Sequence, residues 1–280
     1  RRNARALISS QISLQGDKPI IMQPNLDFLV DLSKQAGEIL KEGYGKSHQV
    51  EYKGPIDLVT EIDKKSEHFL VERILQTFPQ HTIMAEEGGL TDGNKENLWY
   101  IDPLDGTSNY AKGLPIFCVS IAYAYRGRMK LAAVYDPMRD ECFSAEKGKG
   151  ARLNGNQIHV SDVSDLITSM LVTGFPYDMQ QKENNIKYFS HFVRKAHTVR
   201  RLGSAVLDQT YVAMGRMDGY WEIGLSPWDI AAGTLIIEEA GGLVTTLNGS
   251  PDYMKPPYDI LAANPKLHPI LLSELKQCMP

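Results

Sequence analysis

Cysteine is scarce in this 280-residue chain: only Cys118, Cys142 and Cys278, at no spacing that suits a metal or a disulfide framework. So sparse and odd a set fits a reducing compartment, and a cytoplasmic location is the expectation. No apolar run reaches the roughly 18 residues that a membrane span needs. A basic excess is lacking too: 30 Lys and Arg stand against 34 Asp and Glu, a net charge of −4. That gives no global field to hold nucleic acid or an anionic membrane. The seven histidines (His48, His68, His81, His159, His191, His197, His268) show no triad pattern and read as surface or satisfied residues. No internal repeat or low-complexity linker stands out.

What is present is ample core material, 42% hydrophobic, for one large domain or two lobes. The stretch 1–22 is basic with no acid before Asp17, and it is set apart as an N-terminal tail. After it, "PNLDFLVDLSKQAGEILKEGYG" has Phe28, Leu32, Ala36 and Ile39 or Leu40 at helical spacing, with Gly43 suited to the end. "VTEIDKKSEHFLVERILQTFP" predicts a second helix stopped before Pro79, with Thr60 and Asp63 at capping-box spacing. The period then shortens. "HTIMA" and "LWYI" predict strands, the second ending at Ile101, and "IFCVSIAYAY" and "MKLAAVYD" predict a hairpin around Arg126-Gly127-Arg128. Short strands follow, with a turn at Asn154-Gly155.

The later half alternates. "SMLVT", "DGYWEI", "GLVTTL" and "DILAAN" read as strands; 182–196, "GSAVLDQTYVAMG", "SPWDIAAGTLIIEEAGG" and a stretch from Pro265 read as helices. Ser226 suits an N-cap, Pro227 the first helical position and Gly241 the end. The expectation is a layered two-lobe α/β protein, with an N-terminal lobe at 23–160 and a C-terminal lobe at 161–280.

The chemistry concentrates in acids. "IDPLDGTSNY" places Asp102 and Asp105 three apart, with Pro103 fixing its own φ and Gly106 permitting a turn. A helix beginning after that turn would offer amides of Gly106, Thr107 and Ser108 to an anion. Glu86 and Glu87 follow another strand, and Asp63 and Asp229 each stand three residues after a possible cap. Taken singly, each has a bland reading: a turn whose Asp residues bond their own backbone, exposed loop acids, or capping boxes worth about 1 kcal/mol. If they converge, carboxylates about 5 Å apart repel by roughly 3 kcal/mol at an effective dielectric of 20. Such a group holds protons or a hard cation, Mg²⁺ best and Mn²⁺ as a substitute.

"DPLDGTSNY", with "AEE" upstream and "WDIAAG" downstream, resembles the inositol monophosphatase family of Mg²⁺-dependent, lithium-sensitive phosphatases. "DLVTEID", "EKGKGARLNG", "RRLGSAVLD" and "EAGG" resemble family segments in family order, so the likeness covers about residues 25–276. It implies an αβαβα sandwich shared with fructose-1,6-bisphosphatase, and commonly a homodimer. It implies that Glu86, Asp102 and the Leu104 carbonyl hold one metal, and Asp102, Asp105 and Asp229 a second, with a weaker third near Glu86 and Asp63. Thr107, paired with Asp63, would orient or deprotonate the attacking water, and the amides of Gly106 and Thr107 would cradle phosphate. Gly203, Ser204, Ala205 and Glu222 would line the alcohol side, with Asp105 and Asp229 in reach of hydroxyls. Ala85 departs from the glycine that many members carry there.

The expected activity is hydrolysis of inositol 1-phosphate or a related small sugar or polyol phosphate by metal-activated water. Fructose 1,6-bisphosphate is the main rival substrate, ahead of NADP, nucleotide and histidinol phosphates, because "TSNY" is similar to the inositol-type "TTNF". Arg194, Lys195, Arg200 and Arg201 form a small basic patch, a solvated face or an anion steerer. Arg201 borders the alcohol-side segment. A different class stays open: a regulatory binding protein of the transcription or ribosome-assembly machinery.

Overall fold

The computed structural model describes residues 23–46, 50–52, 58–176 and 179–278; the tail at 1–22 and His48 lie outside them. Among these residues seven α-helices occur: α1 (Leu26–Gly43), α2 (Glu61–Thr77), α3 (Thr107–Ala111), α4 (Met179–Phe192), α5 (Ala205–Ala213), α6 (Pro227–Glu239) and α7 (His268–Cys278). β1 (Val50–Tyr52) and β2 (Leu58–Thr60) form a small antiparallel pair. The large sheet contains β3 (His81–Ala85), β4 (Gly89–Leu90), β5 (Asn94–Asp105), β6 (Cys118–Tyr125), β7 (Arg128–Asp136), β8 (Glu141–Glu146), β9 (Ala151–Leu153) and β10 (Asn156–Gln157). Its order is β10-β9-β8-β7-β6-β5-β3-β4, antiparallel except for β3 beside β5. The second sheet, in the order β12-β11-β13-β15-β14, holds β11 (Met170–Thr173), β12 (Thr198–Arg200), β13 (Gly219–Glu222), β14 (Leu243–Thr245) and β15 (Ile260–Ala263).

Five layers result. α1 and α2 cover one face of the large sheet through Leu29, Leu40, Leu70, Ile74, Trp99 and Ile121. α5 and α6 fill the space between the sheets, where Val206, Ile230 and Ile236 meet Val134, Phe143 and Tyr220. α4 and α7 close the far face of the second sheet through Phe192, Trp221, Leu261 and Leu271. This is the αβαβα sandwich that the resemblance implies. The sheets part between Gln157 and Met170, but the core does not, because α6 packs against strands of both.

Local chemistry explains most of the elements. Asn25 caps α1 by accepting from the Phe28 amide at 2.9 Å. Leu40 rather than Ile39 faces the core, and Gly43 is the last helical residue, tight against Tyr110. Arg126 and Gly127 turn the β6–β7 hairpin with φ of 50° and 72°, so Arg128 already belongs to the strand. Asn154 and Gly155 do the same between β9 and β10. The strand expected to end at Ile101 continues to Asp105. A bulge separates the pairings Asp102–Ser120 and Asp105–Cys118, so three steps along β5 oppose two along β6. Pro103, with no N–H to offer a ladder, sits in that bulge. The helix expected over 182–196 spans Met179–Phe192, and the last begins at His268 rather than near Pro265.

Candidate active site

The site begins at a helix cap. The amide and hydroxyl of Thr60 donate to Asp63 Oδ2 at 2.9 and 2.5 Å, and Thr60 Oγ1 accepts from the Ile62 amide at 3.2 Å. Asp63 is fully buried, and its other oxygen, Oδ1, accepts from Thr107 Oγ1 at 2.9 Å. The two readings left open by the sequence are therefore compatible, one carboxylate oxygen for each. Burial raises the Asp63 pKa, partly opposed by the bonds from Thr60 and Thr107. The Leu104 carbonyl lies 3.1 Å from the same Thr107 hydroxyl. One O–H proton faces two acceptors there, and it can serve only one at a time.

The next turn of α2 continues the contact. Ser66 Oγ donates to the Pro103 carbonyl at 3.0 Å, and Glu67 Oε2 accepts from the Glu87 amide at 2.8 Å. Positions i, i+3 and i+4 lie on one helix face. Asp63, Ser66 and Glu67 thus hold the α3 start, the β5 bulge and the Glu86–Glu87 loop from a single wall.

Parallel pairing of β3 with β5 brings two acids together. The register Ala85–Ile101 carries both chains on to Glu86 and Asp102 side by side. Asp102 is 2% exposed; its Oδ1 accepts from the Leu104 amide at 3.0 Å, and it shares a hydrogen bond with Glu86. Burial pushes Asp102 well above the usual carboxylate range, and Glu86, Asp105 and Asp229 add to it. Gly106 then turns the chain at φ 99°, where a Cβ would lie 2.9 Å from the Ile116 carbonyl oxygen. Glycine is required there twice over, for its backbone angle and for space. α3 starts at Thr107.

Asp105 reaches across to the C-terminal half. Its carboxylate accepts from Ser204 Oγ, from the Val206 amide at 2.8 Å and from the Ala205 amide at 3.2 Å. It therefore caps α5 alongside Ser204. Burial raises its pKa, and these donors oppose the rise. Asp229, in the first turn of α6, accepts from the Ser226 amide at 2.7 Å. Burial drives it well above its ordinary value, with Glu86 and Asp105 contributing and the Ser226 amide opposing.

Glu222 ends β13. Along that strand Tyr220 and Glu222 face the middle layer while Trp221 faces the outer one, the period of two expected of a strand. The Tyr220 hydroxyl donates to Glu222 Oε2 at 2.6 Å. The carboxyl lies so close over Gly174 that a Cβ there would overlap it. Burial lifts Glu222 to about 7, the Tyr220 bond opposing.

These groups line one cavity of about 340 Å³. Glu86, Asp102, Leu104, Asp105, Gly106, Thr107, Gly203, Ser204, Ala205, Glu222 and Asp229 all border it; Asp63 stands behind Thr107. Arg201, exposed at the rim, is the only cationic side chain among the described lining residues. Of the rest of the basic patch, Lys195 pairs with Glu274 at 2.6 Å and Arg200 bonds Thr198. His81 accepts from Trp99 Nε1 at 3.0 Å in the core, and His191 pairs with Glu274 at 2.6 Å.

Sequence reasoning missed Asp208. It lies on α5, borders the same cavity, is 1% exposed, and has no hydrogen-bond partner on either oxygen. Burial pushes it well above the carboxylate range, with Glu222 and Asp105 adding and Arg201 opposing. The available signal was one acid inside the apolar stretch "SAVLDQTYVA".

Among the described residues no three Asp, Glu, His or Cys side chains already form a metal cage; Glu86 meets Asp102 instead. The donor chemistry nonetheless fits a hard divalent cation. Glu86, Asp102, Asp105 and Asp229 offer oxygen only, no histidine lines the cavity, and the acids raise one another's proton affinity. A cation relieves that repulsion without protons.

The profile of the inositol monophosphatase family matches residues 21–279. Nus factor SuhB of Escherichia coli (strain K12) is 42% identical over 259 residues, covering 91% of this chain and 97% of that protein. The crystal structure of extragenic suppressor protein suhB from Bartonella henselae superposes with a TM-score of 0.87 at 34% identity, covering 90% of this chain and 98% of the other. Inositol monophosphatase from Anabaena (Nostoc) sp. PCC 7120 has a TM-score of 0.81 at 44% identity, covering 91% and 96%. With the family profile spanning nearly its whole length and the acidic cavity in the family's motifs, this chain belongs to the inositol monophosphatase family.

Proposed function

We propose that the chain is a Mg²⁺-dependent phosphomonoesterase that releases phosphate from inositol 1-phosphate or a closely related polyol phosphate. The observation that carries the reading is the meeting of Glu86, Asp102, Asp105 and Asp229 in one cavity beside the Gly106 turn and the Asp63–Thr107 pair. Glu86, Asp102 and the Leu104 carbonyl would hold one cation, and Asp102, Asp105 and Asp229 a second; a third near Glu86 and Mn²⁺ as a substitute belong to the same proposal. Bound there, divalent cations supply Lewis-acid activation of water and offset charge on the transferring phosphoryl group.

The chain's own groups do the rest. Asp63 holds the Thr107 hydroxyl, which orients the attacking water and passes its proton toward Asp63. The Gly106 and Thr107 amides receive the phosphate oxygens. Water oxygen bonds to phosphorus, the ester P–O bond breaks, and the alcohol leaves toward Ser204, Ala205 and Glu222, taking a proton. Arg201 at the rim steers the anionic substrate. Lithium sensitivity, a homodimer and a cytoplasmic location complete the proposal. Phosphate release from inositol 1-phosphate and fructose 1,6-bisphosphate with MgCl₂, from neutral to alkaline pH, tests it. No release from the inositol ester sinks it, and a higher kcat/KM for the bisphosphate transfers the reading to the rival substrate.

One observation favours a second reading. The relatives at 42% identity bear the name Nus factor SuhB, which fits a binding role in the transcription machinery. Under that reading Asp102→Asn protein rescues a strain lacking the gene; failed rescue by well-expressed variant counts against it.

A further inference from the structure

A side-chain amide in a protein core brings two N–H donors and an oxygen that all need partners. Gln209 of α5 is fully buried and meets only part of that need. Its Nε2 donates to the Ala205 carbonyl at 2.9 Å and to the Asp229 carbonyl at 2.7 Å. Its Oε1 has no hydrogen-bond partner. Turning the amide over would aim that oxygen at two carbonyls, which only accept, so the orientation is fixed. Room for it comes from Gly233, the last residue of "WDIAAG", where a Cβ would overlap the amide oxygen.

Stability does not account for this arrangement. Ala205 and Asp229 lie in the first turns of α5 and α6, where their carbonyls also take the helical amides four residues on. An apolar side chain at 209 would leave neither carbonyl unpaired and would remove an orphan oxygen. What the amide does is join two elements. Among the described residues, no other hydrogen bond links α5 to α6. Asp105 already grips the first turn of α5 through the Ala205 and Val206 amides. Gln209 extends that grip from the Ala205 carbonyl to the Asp229 backbone, and the Ser226 amide fixes the Asp229 carboxylate at 2.7 Å. Two acids that repel each other are thereby held at a set distance through neutral groups.

We propose that Gln209 is a positioning residue that fixes the backbone of Asp229 relative to Asp105 and so sets the gap that a divalent cation enters between them. The inference rests on the metal-dependent reading of the cavity and adds the residue behind one cation position. Gln209 does not itself border the cavity; it acts through the two acids, which do. Partners behind metal ligands typically govern affinity by about 10–100-fold.

The test uses full-length Gln209→Met, which keeps length and bulk without donors, and Gln209→Leu as a second variant. Mn²⁺ is titrated into each protein, with the free ion counted by electron paramagnetic resonance, and Tm is measured in EDTA. One class of Mn²⁺ sites is expected to weaken about tenfold, while Tm in EDTA holds or rises. The Mg²⁺ concentration for half-maximal phosphate release from inositol 1-phosphate should rise by a similar factor, with KM for the ester at saturating Mg²⁺ largely kept. Unaltered Mn²⁺ affinity overturns the assignment. A lower Tm in EDTA for both variants, or failure of both to fold, makes Gln209 a structural strut and overturns it too. Wild-type behaviour separates this inference from the function. A wild type that binds Mn²⁺ but hydrolyses no phosphate ester, and loses affinity with Gln209→Met, refutes the phosphatase and keeps the positioning role. Hydrolysis by wild type, with an unshifted Mg²⁺ requirement in Gln209→Met, refutes the positioning role alone. A wild type that binds no Mn²⁺ refutes both.

Discussion

Asp63 and Asp229 each divide their carboxylate between a helix cap and the cavity. Asp63 gives Oδ2 to Thr60 and Oδ1 to Thr107; Asp229 gives Oδ2 to the Ser226 amide while its charge faces Glu86 and Asp105. Asp229→Asn keeps an acceptor for the cap and removes the charge. Turnover with Mg²⁺ is expected to fall by two or more orders of magnitude while Tm moves by only a few degrees. If instead stability drops by about 1 kcal/mol and turnover persists, the residue is only a cap. Glu222 makes a pH prediction for the metal-free protein. Its folded pKa of about 7 exceeds its ordinary 4.5, so the folded state holds the proton more tightly than the unfolded one. That contribution is complete below about pH 4.5 and is lost as pH rises through about 7, up to roughly 3 kcal/mol across the window. In EDTA, Glu222→Gln should therefore gain stability over wild type progressively from pH 4.5 to 7 in urea melts. A constant difference would place no proton on this group.

At the scale of elements, the site depends on how closely helices sit on the large sheet. Gly37 of α1 lies against the Tyr135 ring so tightly that a Cβ would overlap it, and Tyr135 is held by Asp140 at 2.9 Å. Gly37→Ala is expected to cost about 1–3 kcal/mol through overpacking while turnover per folded molecule is kept, because Gly37 meets Tyr135 and Pro137, neither of which borders the cavity. Denaturation curves with parallel assays check it, and a kcat loss larger than the folded fraction explains would show that α1 also sets the site. These elements were largely legible in sequence. Both capping residues Thr60 and Ser226, the Asn-Gly turn and the 3.6-residue stripe of α1 are local signals. The β5 bulge and β12 were not legible, since each depends on its pairing partner.

The whole molecule has two sheets but one continuous middle core. Val134 and Phe143 of the large sheet and Tyr220 of the second belong to the same packed group, with α6 between them. Asp105, reaching the first-turn amides of α5, and Asn109 Nδ2, donating to the Leu202 carbonyl at 2.9 Å, join the halves at the cavity. The division into lobes at 23–160 and 161–280 is accordingly proposed as topological, and unfolding is expected as one transition. Trp99 lies in the core under α1 and α2, and Trp221 under α4 and α7. Urea curves of Trp99→Phe and of the double variant Trp221→Phe/Trp228→Phe report the two ends separately. Relative to far-UV circular dichroism of the same variant, each fluorescence midpoint should coincide; separated midpoints would show independent lobes.

Caps, turns and periodicities act over a few residues, and the helices, the hairpins, the layered α/β class and the motif acids could be read from them alone. That Asp105 caps a helix about a hundred residues away in the chain, that Glu222 is pinned over Gly174, and that Asp208 is left without a partner emerge from long-range packing. Periodicity says which face of an element is buried. It cannot say what that face meets, and the charge and hydrogen bonding of this cavity arise wholly from those meetings.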